Sequence, residues 1–469
     1  MRGIFFVLVF SLLVATNCYG EKPNVLLVYV DDLGYGDLGS YDHPVVETPV
    51  IDQLAEEGVR FTQFYAPSAL CSPSRAGLLT GRFPYRTGIR TWIPDDSSVS
   101  MNPDEVTIAA AAKSKGYRTA VIGKWHLNGG LHMADALQPE DFGFDFQYGL
   151  SAWVKNNDAQ ENGKGNLYPD NMYRNNQPVG KTNKLSAELV SDEAISWLDQ
   201  NREPFFLLLT YSEVHAPIAS PPDFVMKYEK FLTEEAIQRP LEYHMNWSAR
   251  PYRGRGEYYA NISFLDFQLG RVIAYLRKTG ELENTLVIFS SDNGPVTSEA
   301  LHRWEVNMAG ETNGLRGKKR FLFEGGIRVP GIIRWPKYVE IGKIEREVVT
   351  ALDIFPTIAE VIEYDASHLQ LDGDSIFGLL RGHEMPTERN EKLFYWSIPT
   401  PDGMEYAARW KNWKIILNSR GDPVYLFDLA SDKNEVTNLI SSEQKIVDTL
   451  VTKVTAIKSS IDQSLSSDN

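Results

Sequence analysis

Four short apolar runs, each ending abruptly in polar or charged residues, constrain this chain more than any other feature. They are Asn24 to Val30, Arg118 to Ile122, Phe205 to Tyr211 and Thr285 to Ser290. Short runs rich in Val, Leu, Ile and Phe suit strands covered on both faces. Helical patterns separate them, at Val50 to Glu57, Thr107 to Lys115, Lys184 to Asn201 and Glu257 to Lys278. The alternation predicts an α/β fold, a large doubly wound sheet flanked by helices.

Ligands of open α/β sheets bind beyond the carboxyl ends of the strands. Here Val30 runs into Asp31-Asp32, Ile122 into Gly123-Lys124-Trp125-His126, Tyr211 into Ser212-Glu213-Val214-His215, and Ser291 into Asp292-Asn293-Gly294. A lone Asp-Asp or Asp-Asn-Gly reads as a turn or a helix cap. Brought to one sheet edge, however, Asp31, Asp32 and Asp292 repel one another unless a hard cation lies between them. With Asn293 they offer only oxygen, which predicts calcium ahead of magnesium.

Beyond about Arg381 the pattern changes to short β-rich runs, Lys392 to Trp396, Tyr406 to Trp410, Trp413 to Asn418 and Pro423 to Phe427, then a helix from Ser442 to about Leu465. A smaller C-terminal antiparallel sheet with a covering helix is expected. The division is residues 1–20 as a signal peptide, 21–385 as the catalytic α/β domain and 386–469 as the C-terminal subdomain. Arg2, the apolar stretch from Ile4 to Ala15 and the small residues after it carry the export reading, with cleavage after Gly20. A lipid anchor on Cys18 is the rival, but Ala15-Thr16-Asn17 lacks the run such a site needs. No later segment is long and apolar enough to span a bilayer. The chain is thus expected to be exported, periplasmic or secreted. Its 469 residues carry a net charge of −15, which argues against a nucleic-acid partner.

Export leaves one cysteine, Cys71, which opens Cys71-Ser72-Pro73-Ser74-Arg75-Ala76-Gly77-Leu78-Leu79-Thr80-Gly81-Arg82. Pro73 suits a first helical turn, and a helix N-terminus with Arg75 beside it suits an oxyanion. Composition alone leaves two readings for Cys71, a buried small hydrophobe and a thiolate nucleophile.

The Cys71 to Arg82 run resembles the signature of the formylglycine-dependent sulfatases of the alkaline phosphatase superfamily. Asp31-Asp32-Leu33-Gly34-Tyr35-Gly36-Asp37, Thr48-Pro49-Val50-Ile51-Asp52, Gly123-Lys124-Trp125-His126-Leu127, and Leu315-Arg316-Gly317 through Glu324-Gly325-Gly326-Ile327-Arg328-Val329-Pro330 are similar to the same family. The resemblance covers nearly the whole mature chain and is nearest to the arylsulfatase A and N-acetylgalactosamine-6-sulfatase-like enzymes. It implies a mixed, alkaline-phosphatase-like sheet and a Cys71 oxidised to formylglycine by a maturation enzyme. It also implies one Ca2+ ion per chain on Asp31, Asp32, Asp292 and Asn293. By the family scheme, hydrated formylglycine attacks sulfur with help from the metal and Arg75. His215, Lys124 and Lys319 neutralise the sulfate oxygens, and His126 takes the proton that releases sulfate. Two departures stand out. Lys318-Lys319-Arg320 replaces a single lysine, so that Lys319 is chosen by its offset and Lys318 is the fallback, and Asn128 stands where the family has Gly.

The expected substrate is a sulfated galactose or N-acetylgalactosamine unit in a carrageenan-type galactan or a glycosaminoglycan. His302, Arg303 and Trp304, shortly after the metal residues, and Arg250 and Arg253 in the long 220–256 stretch are the expected glycan contacts. Trp410, Lys411, Trp413 and Lys414 read as packing. Asn246-Trp247-Ser248 and Asn261-Ile262-Ser263 match glycosylation acceptors. Two rival readings remain open: a phosphonate or phosphodiester hydrolase of the same superfamily, and a non-enzymatic protein that binds sulfated glycans.

Overall fold

The computed structural model of the protein describes residues 22–151, 168–201, 204–215, 218, 220–234, 254–296 and 309–467. Among the described residues, eleven strands form the main sheet: β1 (Asn24–Val30), β2 (Val59–Tyr65), β3 (Arg118–Gly123), β4 (Phe146–Leu150), β5 (Met172–Arg174), β6 (Gln177–Pro178), β7 (Phe205–Tyr211), β8 (Thr285–Ser291), β9 (Arg328–Arg334), β10 (Lys343–Glu345) and β11 (Val349–Thr350). Their order is β10-β2-β9-β8-β1-β7-β3-β4-β5-β6, with β11 also on β2. The four strands legible in the sequence are the contiguous parallel centre, β8-β1-β7-β3.

Period-2 burial explains that centre. Leu26, Val28 and Val30 of β1 join one apolar layer, while Val25, Leu27 and Tyr29 join the other. Helices α1 (Pro49–Glu56), α4 (Ser186–Gln200) and α5 (Arg255–Thr279) cover the first layer, and α2 (Cys71–Thr80), α3 (Ile108–Ser114) and α6 (Ile354–Val361) the second. Strand β9 runs antiparallel to both β8 and β2, which makes the sheet mixed. The sequence reading treated that segment as part of a family motif and did not name it as a strand.

The second sheet is an antiparallel meander of β12 (Leu393–Thr400), β13 (Gly403–Trp410), β14 (Trp413–Leu417) and β15 (Pro423–Asp428). On one face Trp396, Ile398, Ala407, Ile416 and Phe427 pack on Tyr65, Ala69, Leu70, Leu322 and Ile327 of the main body. On the other, Tyr395, Ala408, Ile415 and Leu426 meet Val447, Leu450, Val454 and Ile461 of the C-terminal helix α7 (Gln444–Ser467). No described helix is long and apolar enough to cross a membrane. Asn261 of the second glycosylation match is fully buried inside α5, where its amide donates to Ser220 Oγ at 3.1 Å, so it cannot serve as an acceptor. Asn246 and its neighbours lie outside the described residues, as do residues 1–20.

Candidate active site

The C-terminal ends of β8, β1, β7 and β3 face one edge, and their polar sequels converge there. Ligand atoms of Asp31, Asp32, Cys71 and Asp292 all lie within 4.8 Å of one another. None of these residues is more than 3% exposed. Asp32 adopts a left-handed φ of 62°, and its amide donates to Asp292 Oδ1 at 3.1 Å. Asn293 Nδ2 donates to Asp32 Oδ1 at 2.7 Å. The four residues expected to hold a metal are therefore gathered at two adjacent strand ends.

Cys71 begins α2, which brings the following Arg75 beneath the same cluster. Arg75 donates to Asp292 Oδ2 from Nε at 3.1 Å and from Nη2 at 2.9 Å, and from Nη1 to the Lys124 carbonyl at 2.8 Å. Lys124 Nζ pairs with Asp31 Oδ2. Gly123 makes its approach possible: its φ is 116°, and a Cβ there would stand 1.6 Å from the Thr210 carbonyl oxygen. Lys319 Nζ lies 2.5 Å from Asp32 Oδ1 and 3.1 Å from Cys71 Sγ. Lys318 instead donates to the Gly310 carbonyl at 2.7 Å, so only the second lysine of the pair faces Cys71. His215 Nε2 is 3.8 Å from Asp32 Oδ2.

His126 Nε2 sits 3.0 Å from the Ile93 carbonyl, while its Nδ1 is buried with no hydrogen-bond partner among the described residues. A carbonyl can only accept, so Nε2 carries the hydrogen and Nδ1 of the neutral ring keeps its lone pair. Burial first, and then Lys124 and Arg75, hold His126 well below the usual imidazole range. Burial likewise pushes His215 down to about 4, against the opposing pull of Asp31 and Asp32. Both imidazoles are neutral bases at neutral pH. Burial pushes the Cys71 thiol up to about 12 despite Lys124 and Lys319, so as a plain cysteine it is a weak nucleophile near neutrality.

Among the described residues, three buried oxygens in the cluster find no hydrogen-bond donor: Asp31 Oδ1, Asp32 Oδ2 and Asn293 Oδ1. Such groups are rare in folded proteins, and together they fit a partner that the described residues do not supply. Hard oxygen donors of this kind fit calcium or magnesium. Burial, then the neighbouring Asp31, raises Asp292 to about 7 in spite of Arg75, an imbalance that a cation would correct.

His302, Arg303, Trp304, Arg250 and Arg253 lie outside the described residues. The sequence reading missed Glu324, Lys414 and Glu435, which together hold the loop of Lys319. In the sequence Glu324 is only part of a family motif, and Lys414 reads as packing, which agrees with its full burial.

A buried anion-handling cluster at the carboxyl edge of an alkaline-phosphatase-like sheet defines a hydrolase of anionic esters. The Sulfatase family model matches residues 23–364, and a second model, N-sulphoglucosamine sulphohydrolase C-terminal, matches residues 315–460. The chain is 32% identical to arylsulfatase A of Bos taurus, with 91% of this chain and 85% of that protein covered. Steryl-sulfatase of Homo sapiens is 30% identical, with 83% and 75% covered. Among solved structures, Ps i-CgsB in complex with k-i-k-neocarrahexaose superposes with a TM-score of 0.77 at 25% identity, covering 95% of this chain and 93% of that one. The protein belongs to the sulfatase family and is a sulfuric ester hydrolase.

Proposed function

We propose that the protein removes sulfate from a sulfated carbohydrate, a galactose or N-acetylgalactosamine sulfate within an algal galactan or a glycosaminoglycan. In this reading Cys71 is matured to formylglycine, and Asp31, Asp32, Asp292 and Asn293 hold one calcium ion. The observation that carries it is the placing of Cys71 Sγ 3.1 Å from Lys319 Nζ, inside a carboxylate cluster with three unpartnered oxygens.

A hydrated aldehyde at residue 71 supplies an oxygen nucleophile for sulfur where the thiol does not, and calcium supplies the positive charge that favours its ionised form. The chain's own residues do the rest. Arg75, clamped to Asp292, fixes the N-terminal turn of α2 and adds charge beneath residue 71. Lys124 and Lys319 offer ammonium groups that neutralise the sulfate oxygens. His215, whose Nε2 lies 3.8 Å from Asp32 Oδ2, offers a hydrogen bond to the departing sugar oxygen, and the Lys319 ammonium supplies its proton. His126, with its bare Nδ1, takes the proton that accompanies sulfate release. The sugar class draws on the likeness to a protein solved with a carrageenan oligosaccharide. His302, Arg303, Trp304, Arg250 and Arg253 are proposed to contact neighbouring sugar units. An exported location, with residues 1–20 as the signal and residues 386–469 as the C-terminal subdomain, belongs to the same reading.

One observation keeps a second reading in view: the phosphonate monoester hydrolase of Agrobacterium radiobacter shares the fold, with a TM-score of 0.67 at 21% identity. Protein from a host with a formylglycine-generating enzyme should release free sulfate from a sulfated galactan or glycosaminoglycan oligosaccharide, and the peptide spanning residue 71 should carry the mass of an aldehyde. Full activity with an intact thiol would reject the nucleophile. Faster turnover of an aryl phosphodiester than of any sulfate ester would favour the phosphonate-hydrolase reading instead.

A further inference from the structure

We propose that Lys414 and Glu435, which lie with the small C-terminal sheet, are positioning residues for Lys319, so that this sheet is a working part of the sulfate-ester site. The inference rests on Lys319 acting at residue 71, as proposed above.

The loop from Leu315 to Ile327 is held from two sides. Toward the active site, the Lys319 amide donates to Pro295 O at 2.9 Å, the Arg320 amide to Ala69 O at 3.0 Å, and the Gly294 amide to Gly326 O at 3.0 Å. Pro295 lies two residues beyond Asn293, and Ala69 two before Cys71. These contacts leave no room for a side chain: a Cβ on Gly294 would stand 1.9 Å from Gly325 O. Toward the small sheet, the Glu324 amide donates to Glu435 Oε2 at 2.6 Å, and Arg316 Nη1 donates to the Glu435 carbonyl at 2.9 Å. Lys414 Nζ, on β14, lies 2.9 Å from Glu324 Oε1 and 2.8 Å from Glu435 Oε1. Tyr65 OH, at the end of β2, donates to Glu324 Oε2 at 2.6 Å. The Arg316 guanidinium also lies over the Phe323 ring, 4.0 Å from its centre.

Lys414, Glu324 and Glu435 have no exposed surface. Apolar side chains of similar volume would pack this junction without the desolvation cost of three ions. What the ions add is direction. Each carboxylate fixes the register of the loop against β14 and β2, and the loop ends in an ammonium that must meet Cys71 and Asp32 within hydrogen-bonding distance. An error of about 1 Å in such a group can cost on the order of a hundredfold in rate.

A double-mutant cycle tests this. Lys414→Met in the full-length matured enzyme should lower kcat for an aryl sulfate by about 10- to 100-fold, with KM changed by less than about threefold. In a Lys319→Ala background the same substitution should lower kcat by less than about twofold, because the group it positions is already gone. Glu435→Gln, which keeps shape and acceptor oxygen, provides a milder second arm should Lys414→Met fold poorly, and its effect should vanish in the same background. Effects that multiply in either arm would overturn the positioning role and leave the junction purely structural. If Lys319→Ala alone left kcat unchanged, the assignment of Lys319 would fall first, and this inference with it.

Discussion

Two buried clusters of charge, side by side in the molecule, handle their oxygens differently. At the junction, Glu324 directs Oε1 to Lys414 and Oε2 to the Tyr65 hydroxyl. Glu435 accepts the Glu324 amide on Oε2, while its Oε1 forms an ion pair with Lys414 without hydrogen-bond geometry. At the strand ends, Arg75, Lys124 and Lys319 face Asp31, Asp32 and Asp292, yet Asp31 Oδ1, Asp32 Oδ2 and Asn293 Oδ1 accept no hydrogen bond among the described residues. The difference lies in whether the protein itself meets the desolvated acceptors, and unmet acceptors are costly unless something from outside repays them. A closed cluster organises the chain, and an open one leaves acceptors for the proposed calcium ion.

The widest contrast should come from removing the central group of each. Cys71→Ala should lower kcat/KM by at least about a thousandfold while the free energy of unfolding moves by no more than about 1 kcal/mol, since a small residue replaces a small one at a helix start. Lys414→Met should instead lose roughly 3–5 kcal/mol of stability, because buried Glu435 loses its cation and Glu324 keeps only the longer pairing with Arg328. Urea unfolding beside an aryl sulfate assay measures both. Equal stability losses would dissolve the distinction between the clusters.

A smaller effect sharpens it further. Lys318 and Lys319 are adjacent in sequence, but only Lys319 reaches the open cluster. Lys319→Ala should cost activity on the order of a hundredfold or more, and Lys318→Ala no more than about threefold. Comparable losses from both would mean that the loop, and not the individual ammonium, carries the effect.

The parallel centre of the sheet and the strand-end residues were legible because burial on both faces writes an unbroken apolar run that must end where the chain meets polar chemistry. The Asp31, Asp32, Asp292 and Asn293 grouping could be read for the same reason. Strand β9 was not, since Pro330 and Gly331 interrupt its pattern and two flanking arginines, Arg328 and Arg334, disguise a strand that is buried throughout. Those arginines are buried because each finds partners far away in sequence, Arg328 at Thr62 O and Arg334 at Glu57 and Glu283. The packing reading of Lys414 holds, since its side chain has no exposed surface, but its pairing with Glu324 and Glu435, 90 residues before and 21 after, is not written in a run containing Trp410, Lys411 and Trp413.

The central claim, that the unmet oxygens at the strand ends receive a hard cation, is tested most directly by calorimetry of the metal-free protein with and without calcium across pH. Burial and the nearby Asp31 raise Asp292 to about 7, well above its unfolded value, so this group contributes stability near pH 4 that is lost as pH rises through 7. Calcium binding favours the ionised form and should restore the loss. At saturating calcium and about pH 7.5 the stability gain should reach roughly 3–4 kcal/mol, shrink toward zero by about pH 5, and disappear in Asp32→Asn. A gain that did not vary with pH, or that survived Asp32→Asn intact, would contradict the account.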